Sequence, residues 1–155
     1  MARLLGRSPA GEFTVVVRRL DGTPAVIENA PFLDDGRPMP TLYWLVDAEV
    51  RDAVSRLEAG GGVRRAEAVV EPETLAAAHA RYGAARDRRL PARHTGPRPS
   101  GGVGGTRQGV KCLHAHVAWF LAGGDDPVGR WTVGELHLDV AEFVSSTPTG
   151  EDDHG

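Results

Sequence analysis

The chain of 155 residues contains a single cysteine, Cys112, and a single lysine, Lys111, and the two are adjacent. One cysteine excludes an internal disulfide and a four-cysteine zinc or iron–sulfur centre built from one chain. Any metal would have to recruit histidines, carboxylates or a second chain. Lysine is scarce because the chain uses arginine in its place, with 18 basic residues set against 21 acidic ones. No apolar run approaches the roughly 20 residues needed to span a bilayer. The N-terminal MARLLGRSPAGEF lacks the continuous apolar core of a secretory signal, so the expected compartment is the cytoplasm. Aromatic residues make up only 6%. None lies between Arg86 and Arg107, which leaves no platform for stacked bases in the most arginine-rich stretch. Together with a net charge of −3, this disfavours nucleic-acid binding.

What the chain does contain suits one folded unit. Its hydrophobic fraction of 41% and charged fraction of 25% are near globular averages. We expect one globular domain over 1–140 and a flexible acidic tail over 141–155. Charge is unevenly spread. Arg81, Arg86, Arg88, Arg89, Arg93, Arg98, Arg107 and Lys111 are accompanied only by Asp87, whereas residues 125–153 are acidic with Arg130 as the one exception. The basic stretch therefore has two natural counterparts, an external anion or acidic partner and the chain's own acidic segment.

Hydrophobic periodicity and turn chemistry predict the elements. FTVVVRR (13–19) and AVIEN (25–29), joined through Asp21-Gly22, form a β-hairpin. TLYWLV (41–46) is short, aromatic and apolar, the signature of a buried strand, here expected at the sheet centre. Tyr43 and Trp44 must then point to opposite faces. Asp47 caps a helix over 48–59 that ends at Gly60-Gly61-Gly62. VRRAEAVV (63–70) fits either a strand or a helix. Residues 72–88 form a helix with Pro72 in its first turn and Leu75, His79, Tyr82 and Arg86 on one side. Residues 90–109 are a glycine-rich loop, followed by a helix over 110–122 and a short helix from Asp126-Pro127 to about Glu135. The expected fold is α+β: a small, mainly antiparallel sheet, made of the N-terminal hairpin plus strand 41–46, packed by three to four helices.

The loop-to-helix junction is the candidate site. Glycines let backbone amides approach an anion, and a helix start presents unpaired N–H groups with positive partial charge. Gly101, Gly102, Gly104 and Gly105 with Arg98, Arg107 and Lys111 form the candidate ligand-binding set. The pattern is neither a phosphate loop, since Lys111 is not followed by Ser or Thr, nor a dinucleotide fingerprint. A flexible surface loop accounts for the glycines equally well. Cys112, placed in the first helical turn, gains thiolate character from the helix dipole and nearby cations.

Cys112-Leu113-His114-Ala115-His116 invites a metal or thiol reading whose geometry depends on the backbone. On a strand all three ligating side chains share a face. On a helix Cys112 and His116 are neighbours one turn apart, while His114 points to the apolar side with Val110 and Leu121. The helical reading makes Cys112, His116 and Lys111 the candidate catalytic residues. It makes Cys112 and His116 candidate ligands for a divalent metal such as zinc, with Asp47, His79 or His94 needed to complete the set. The acids Glu28, Asp34, Asp35, Glu58 and Glu67 show no spacing that marks a catalytic pair and read as solvated surface. Trp119 either walls the site or packs.

PTLYWL (40–45), SRLEAGGGV (55–63), GGVGG (101–105), VKCLHAH (110–116) and DPVG (126–129) occur in this order. By these motifs the chain resembles the bacterial domain-of-unknown-function family numbered 501, over most of residues 5–130. The resemblance singles out the positions of Lys111, Cys112 and His114, with His116 shared by part of the family. Many relatives carry a further cysteine after the aromatic strand, in a Thr-Cys-Pro setting, and some a Cys-Pro-Cys near the N-terminus. Here Val46-Asp47-Ala48 stands at the first and no cysteine at the second, which argues against an obligatory multi-cysteine centre. The label of septum-formation initiator given to relatives implies a cell-division or envelope context.

Two functional expectations follow. One is a site for a small anionic ligand, phosphorylated ones included, at the 98–116 junction, with thiol- or metal-assisted chemistry. The other is a non-enzymatic interaction protein whose basic segment docks an acidic partner. Whether the chain is an enzyme is left open by both.

Overall fold

The computed structural model describes residues 12–39, 41–91, 96, 98–106 and 108–145. Strands β1 (Phe13–Arg19), β2 (Pro24–Asn29), β3 (Tyr43–Leu45) and β4 (Phe143–Ser145) form one antiparallel sheet in the order β3-β2-β1-β4. The β1–β2 hairpin turns at Asp21-Gly22. Gly22 takes a φ of 91°, and Asp21 accepts the Thr23 N–H at 2.9 Å. Val16 is the extra residue of a bulge, since Val15 pairs with Ile27 and Val17 with Val26. Both Val16 and Val17 are buried, as the bulge breaks the strand's strict alternation.

Five helices accompany the sheet: α1 (Ala48–Ala59), α2 (Gly62–Val69), α3 (Pro72–Asp87), α4 (Leu113–Leu121) and α5 (Pro127–Glu135). The α+β class stands as expected, with one helix more than predicted because the ambiguous 63–70 segment is helical. Asp47 caps α1 through the Val50 N–H, and Asp126 caps α5 through Val128 and Gly129. Leu75, His79, Tyr82 and Arg86 form the buried side of α3 as their spacing predicts.

Two expectations change. Strand β3 is at the sheet edge, not its centre. Helix α4 packs against it, and a strand buried by a helix is as apolar as one buried between strands. Residues 143–145, assigned to the tail, pair with β1 as strand β4. Among the described residues no helix is long and apolar enough to cross a membrane.

Helix α4 is enclosed on most of its circumference. Leu113, Ala115, His116, Val117, Ala118, Trp119 and Leu121 are all buried. Trp119 meets Tyr82 edge to face, with ring centroids 5.2 Å apart, which is a packing role. A Cβ on Gly129 would overlap the His116 carbonyl, so α5 crosses α4 at glycine distance.

Candidate functional site

The glycine loop is a strap fastened to α3. Arg86, only 3% exposed, donates from Nη1 to the Ser100 and Gly101 carbonyls at 3.2 and 2.8 Å. His79 Nδ1 accepts the Val103 N–H at 3.0 Å, and its Nε2 lies 2.8 Å from the Gly109 carbonyl. Because Nδ1 must be an acceptor, the proton sits on Nε2 and the ring is neutral. Burial lowers the His79 pKa in the same sense, against the raising effect of the Gly109 carbonyl. A Cβ on Gly102 would overlap the His79 ring, which explains that glycine.

Several of the loop amides are committed to the protein's own acceptors. Gly102 N–H reaches Thr106 O, Gly105 N–H reaches Gly102 O, and Val103 N–H is held by His79. At the helix start, Leu113 N–H donates to Glu58 Oε2 at 2.6 Å, and Val110 N–H donates to Glu67 Oε2 at 2.9 Å. Two internal carboxylates thus stand where an external anion was expected. Of the basic stretch, Arg81 bonds the Asp125 carbonyl and Arg89 pairs with Glu28 at 3.0 Å. Arg98 is exposed and is not among the residues lining the cleft described below, whereas Gly104 and Lys111 are. Arg107 and His94 lie outside the described residues.

Helix α4 begins at Leu113, one turn later than the 110–122 pattern implied, and Cys112 is its N-cap with extended backbone, φ −155° and ψ 155°. This corrects the predicted pairing of Cys112 with His116. A helical wheel cannot be extended through a residue that is not helical, and extended backbone at 112 turns the thiol toward His114 instead. His116 is fully buried, its Nδ1 2.7 Å from Asp126 Oδ2. Asp47 is also engaged elsewhere, capping α1 and pairing with Arg19. The expected set of Cys112, His116 and Asp47 is therefore replaced by another.

The residues that do converge are Glu58, Cys112 and His114, whose ligating atoms all lie within 4.8 Å of one another. His114 Nδ1 is 3.3 Å from Glu58 Oε2. On the other side of the ring, Nε2 lies 3.2 Å from Ser55 Oγ and 3.3 Å from the Arg51 carbonyl. Far from being a core residue, His114 retains 28% side-chain exposure. Burial pushes the Cys112 thiol pKa up, but hydrogen bonding from His114 and the Ala115 N–H, with the charge of His114, brings it below the usual value. His114 is raised above its usual value, first by its bond to Cys112 and then by the Glu58 charge, against burial. The two shifts run in opposite directions, each in the sense that favours passing the thiol proton toward the imidazole.

This pair faces a cleft of about 500 Å³ lined by Trp44, Leu45, Arg51, Ser55, Gly104 and Lys111 among others. Arg51, Ser55 and Glu58 come from one side of α1, at i, i+4 and i+7. By its spacing in the sequence Glu58 belongs to the solvated surface. The signal that marks it otherwise is this polar stripe beside the apolar Val50, Val54 and Leu57.

Fold and site together define an α+β domain with a thiol, an imidazole and a carboxylate at the edge of a cation-lined cleft. The chain belongs to the family described as protein of unknown function DUF501, whose model matches residues 15–134. No curated protein and no solved structure matches it.

Proposed function

We propose that this protein binds a small anionic molecule in the cleft beside β3 and acts on it through Cys112 as a thiol nucleophile. The observation that carries this reading is the juxtaposition of Cys112 with His114 at the edge of a cleft of about 500 Å³, a volume in the range of small-molecule sites. Arg51 and Lys111 supply positive charge at its wall, and Trp44 an aromatic surface. His114 holds the thiol proton, and Glu58 and the Arg51 carbonyl hold His114 in place. A thiol paired with a base that a third group orients is the arrangement by which nucleophilic cysteines are activated. Relative to the sequence expectation, Lys111 stays among the anion's partners and Arg51 joins it, while the loop amides and Arg98 drop out.

The test is the pH dependence of Cys112 alkylation by iodoacetamide in metal-free protein. The rate should rise with a midpoint below the value of about 8.5 for a free cysteine. His114→Ala should move that midpoint upward and slow alkylation at neutral pH several-fold. A midpoint at or above the free-cysteine value, unchanged in His114→Ala, would sink the reading.

A further inference from the structure

We propose that Glu58, Cys112 and His114 form a three-ligand site for one divalent metal ion of the zinc class, with its fourth coordination position open to the cleft. Zinc is bound by thiolate, imidazole and carboxylate at roughly 2.0–2.3 Å in tetrahedral geometry, which spaces adjacent donor atoms about 3.3–3.7 Å apart. His114 Nδ1 and Glu58 Oε2 already stand at 3.3 Å. The thiol completes a set whose ligating atoms all lie within 4.8 Å of one another, a separation that side-chain rotation is expected to reduce to bonding geometry.

The surroundings of each donor favour the same reading. A ligating histidine usually gives its other ring N–H to a carbonyl or carboxylate, which fixes the tautomer. His114 Nε2 faces the Arg51 carbonyl and Ser55 Oγ, leaving Nδ1 for the metal on the side of Glu58 and Cys112. The carboxylate is anchored by the Leu113 N–H. Charge balances as well. A thiolate, a carboxylate and a neutral imidazole together offset a dication. Three protein ligands with one open position is the pattern of zinc sites that admit a further ligand, and of the cleft residues Lys111 and Arg51 are placed to attract an anionic one.

The inference uses the same atoms as the thiol reading without depending on its chemistry, since a metal-bound sulfur is withdrawn from nucleophilic attack. The experiment is titration of metal-free protein with cobalt(II), with no small molecule added. We expect saturation at one equivalent, thiolate-to-cobalt charge-transfer absorption, displacement by zinc and slowed alkylation of the loaded protein. Cys112→Ser should abolish the charge-transfer band, and His114→Ala and Glu58→Gln should each weaken binding at least tenfold, whereas His137→Ala, at an exposed position, should change nothing. Circular dichroism of each variant checks folding, and the wild-type spectrum decides the question even if a variant unfolds. No stoichiometric uptake, or uptake without a thiolate band, overturns the proposal. Fast His114-dependent alkylation without cobalt uptake would overturn the metal site alone. Cobalt uptake by a protein with an ordinary thiol would overturn the nucleophile alone.

Discussion

His79 keeps one protonation state because both of its ring nitrogens are in use. Nδ1 receives the Val103 N–H, and Nε2 gives its proton to the Gly109 carbonyl. A second proton would set two N–H groups against each other in a nearly sealed position, which agrees with a pKa below the usual histidine value. The unfolded chain therefore takes up that proton more readily than the folded one. The stability contribution is complete above the unfolded histidine pKa of about 6.5 and declines as pH falls from there toward the folded value. His114 works in the opposite sense. Its raised pKa gives a contribution that is complete below about 6.5 and is lost as pH rises through the folded value. Urea unfolding followed at pH 7 and pH 5 should show that the stability difference between wild type and His79→Gln shrinks at the lower pH. A difference independent of pH would mean that His79 does not clamp the loop in this protonation state. At this scale Lys111 and Cys112 stood out by rarity alone, whereas Glu58 is one of 21 acids and nothing in its own identity marks it.

Helix α4 is held at its start and in its middle by carboxylates from other elements. Glu58 of α1 meets the Leu113 N–H at its start, and Asp126 meets His116 in its middle while capping α5. Asp126 is fully buried and serves two helices with two oxygens, Oδ1 accepting from Val128 and Gly129 and Oδ2 facing His116. Asp126→Ala removes the cap and leaves a buried histidine without its partner, so it should cost about 3 kcal/mol in urea unfolding. Asp126→Asn, which keeps an acceptor for the cap, should cost less. Equal losses would show that the cap contributes nothing. The enclosure of α4 also explains why its internal geometry differs from the one its periodicity predicts. An amphipathic stripe indicates which way a helix faces only when one side meets water, and α4 is apolar or enclosed on nearly every side. His114 and His116 could be told apart only by what packs against each.

Across the whole molecule, the sheet joins the ends of the described chain. β4 covers β1, whose Arg19 lies over Phe143 with its guanidinium carbon 5.0 Å from the ring centroid. Truncation after Glu142 should therefore lower Tm by several degrees and promote self-association, because β1 would become an unpaired edge. Truncation after Ser145, which keeps β4, should lower Tm less than truncation after Glu142. Light scattering and thermal melts of the two forms provide the check, and identical behaviour would mean that β4 is dispensable. The same scale explains the distribution of charge. Arg81 and Arg130 meet Asp125, Arg65 meets Glu135 and Arg19 meets Glu142, so three acids of the C-terminal segment serve the protein's own arginines.

Local chemistry was enough to place the hairpin, the Asp47 and Asp126 caps, the buried stripe of α3 and the conspicuous Lys111-Cys112 pair. Each depends on a few neighbouring residues whose turn, cap or periodic pattern has one low-energy solution. The partner of Cys112 could not be read in this way. It depends on where α4 begins, which is set by the Glu58 carboxylate reaching the Leu113 amide across 55 residues, and on which face of α4 the rest of the fold leaves open. Contacts between residues far apart in the chain leave no periodic trace, so bringing Glu58, Cys112 and His114 together was the work of packing.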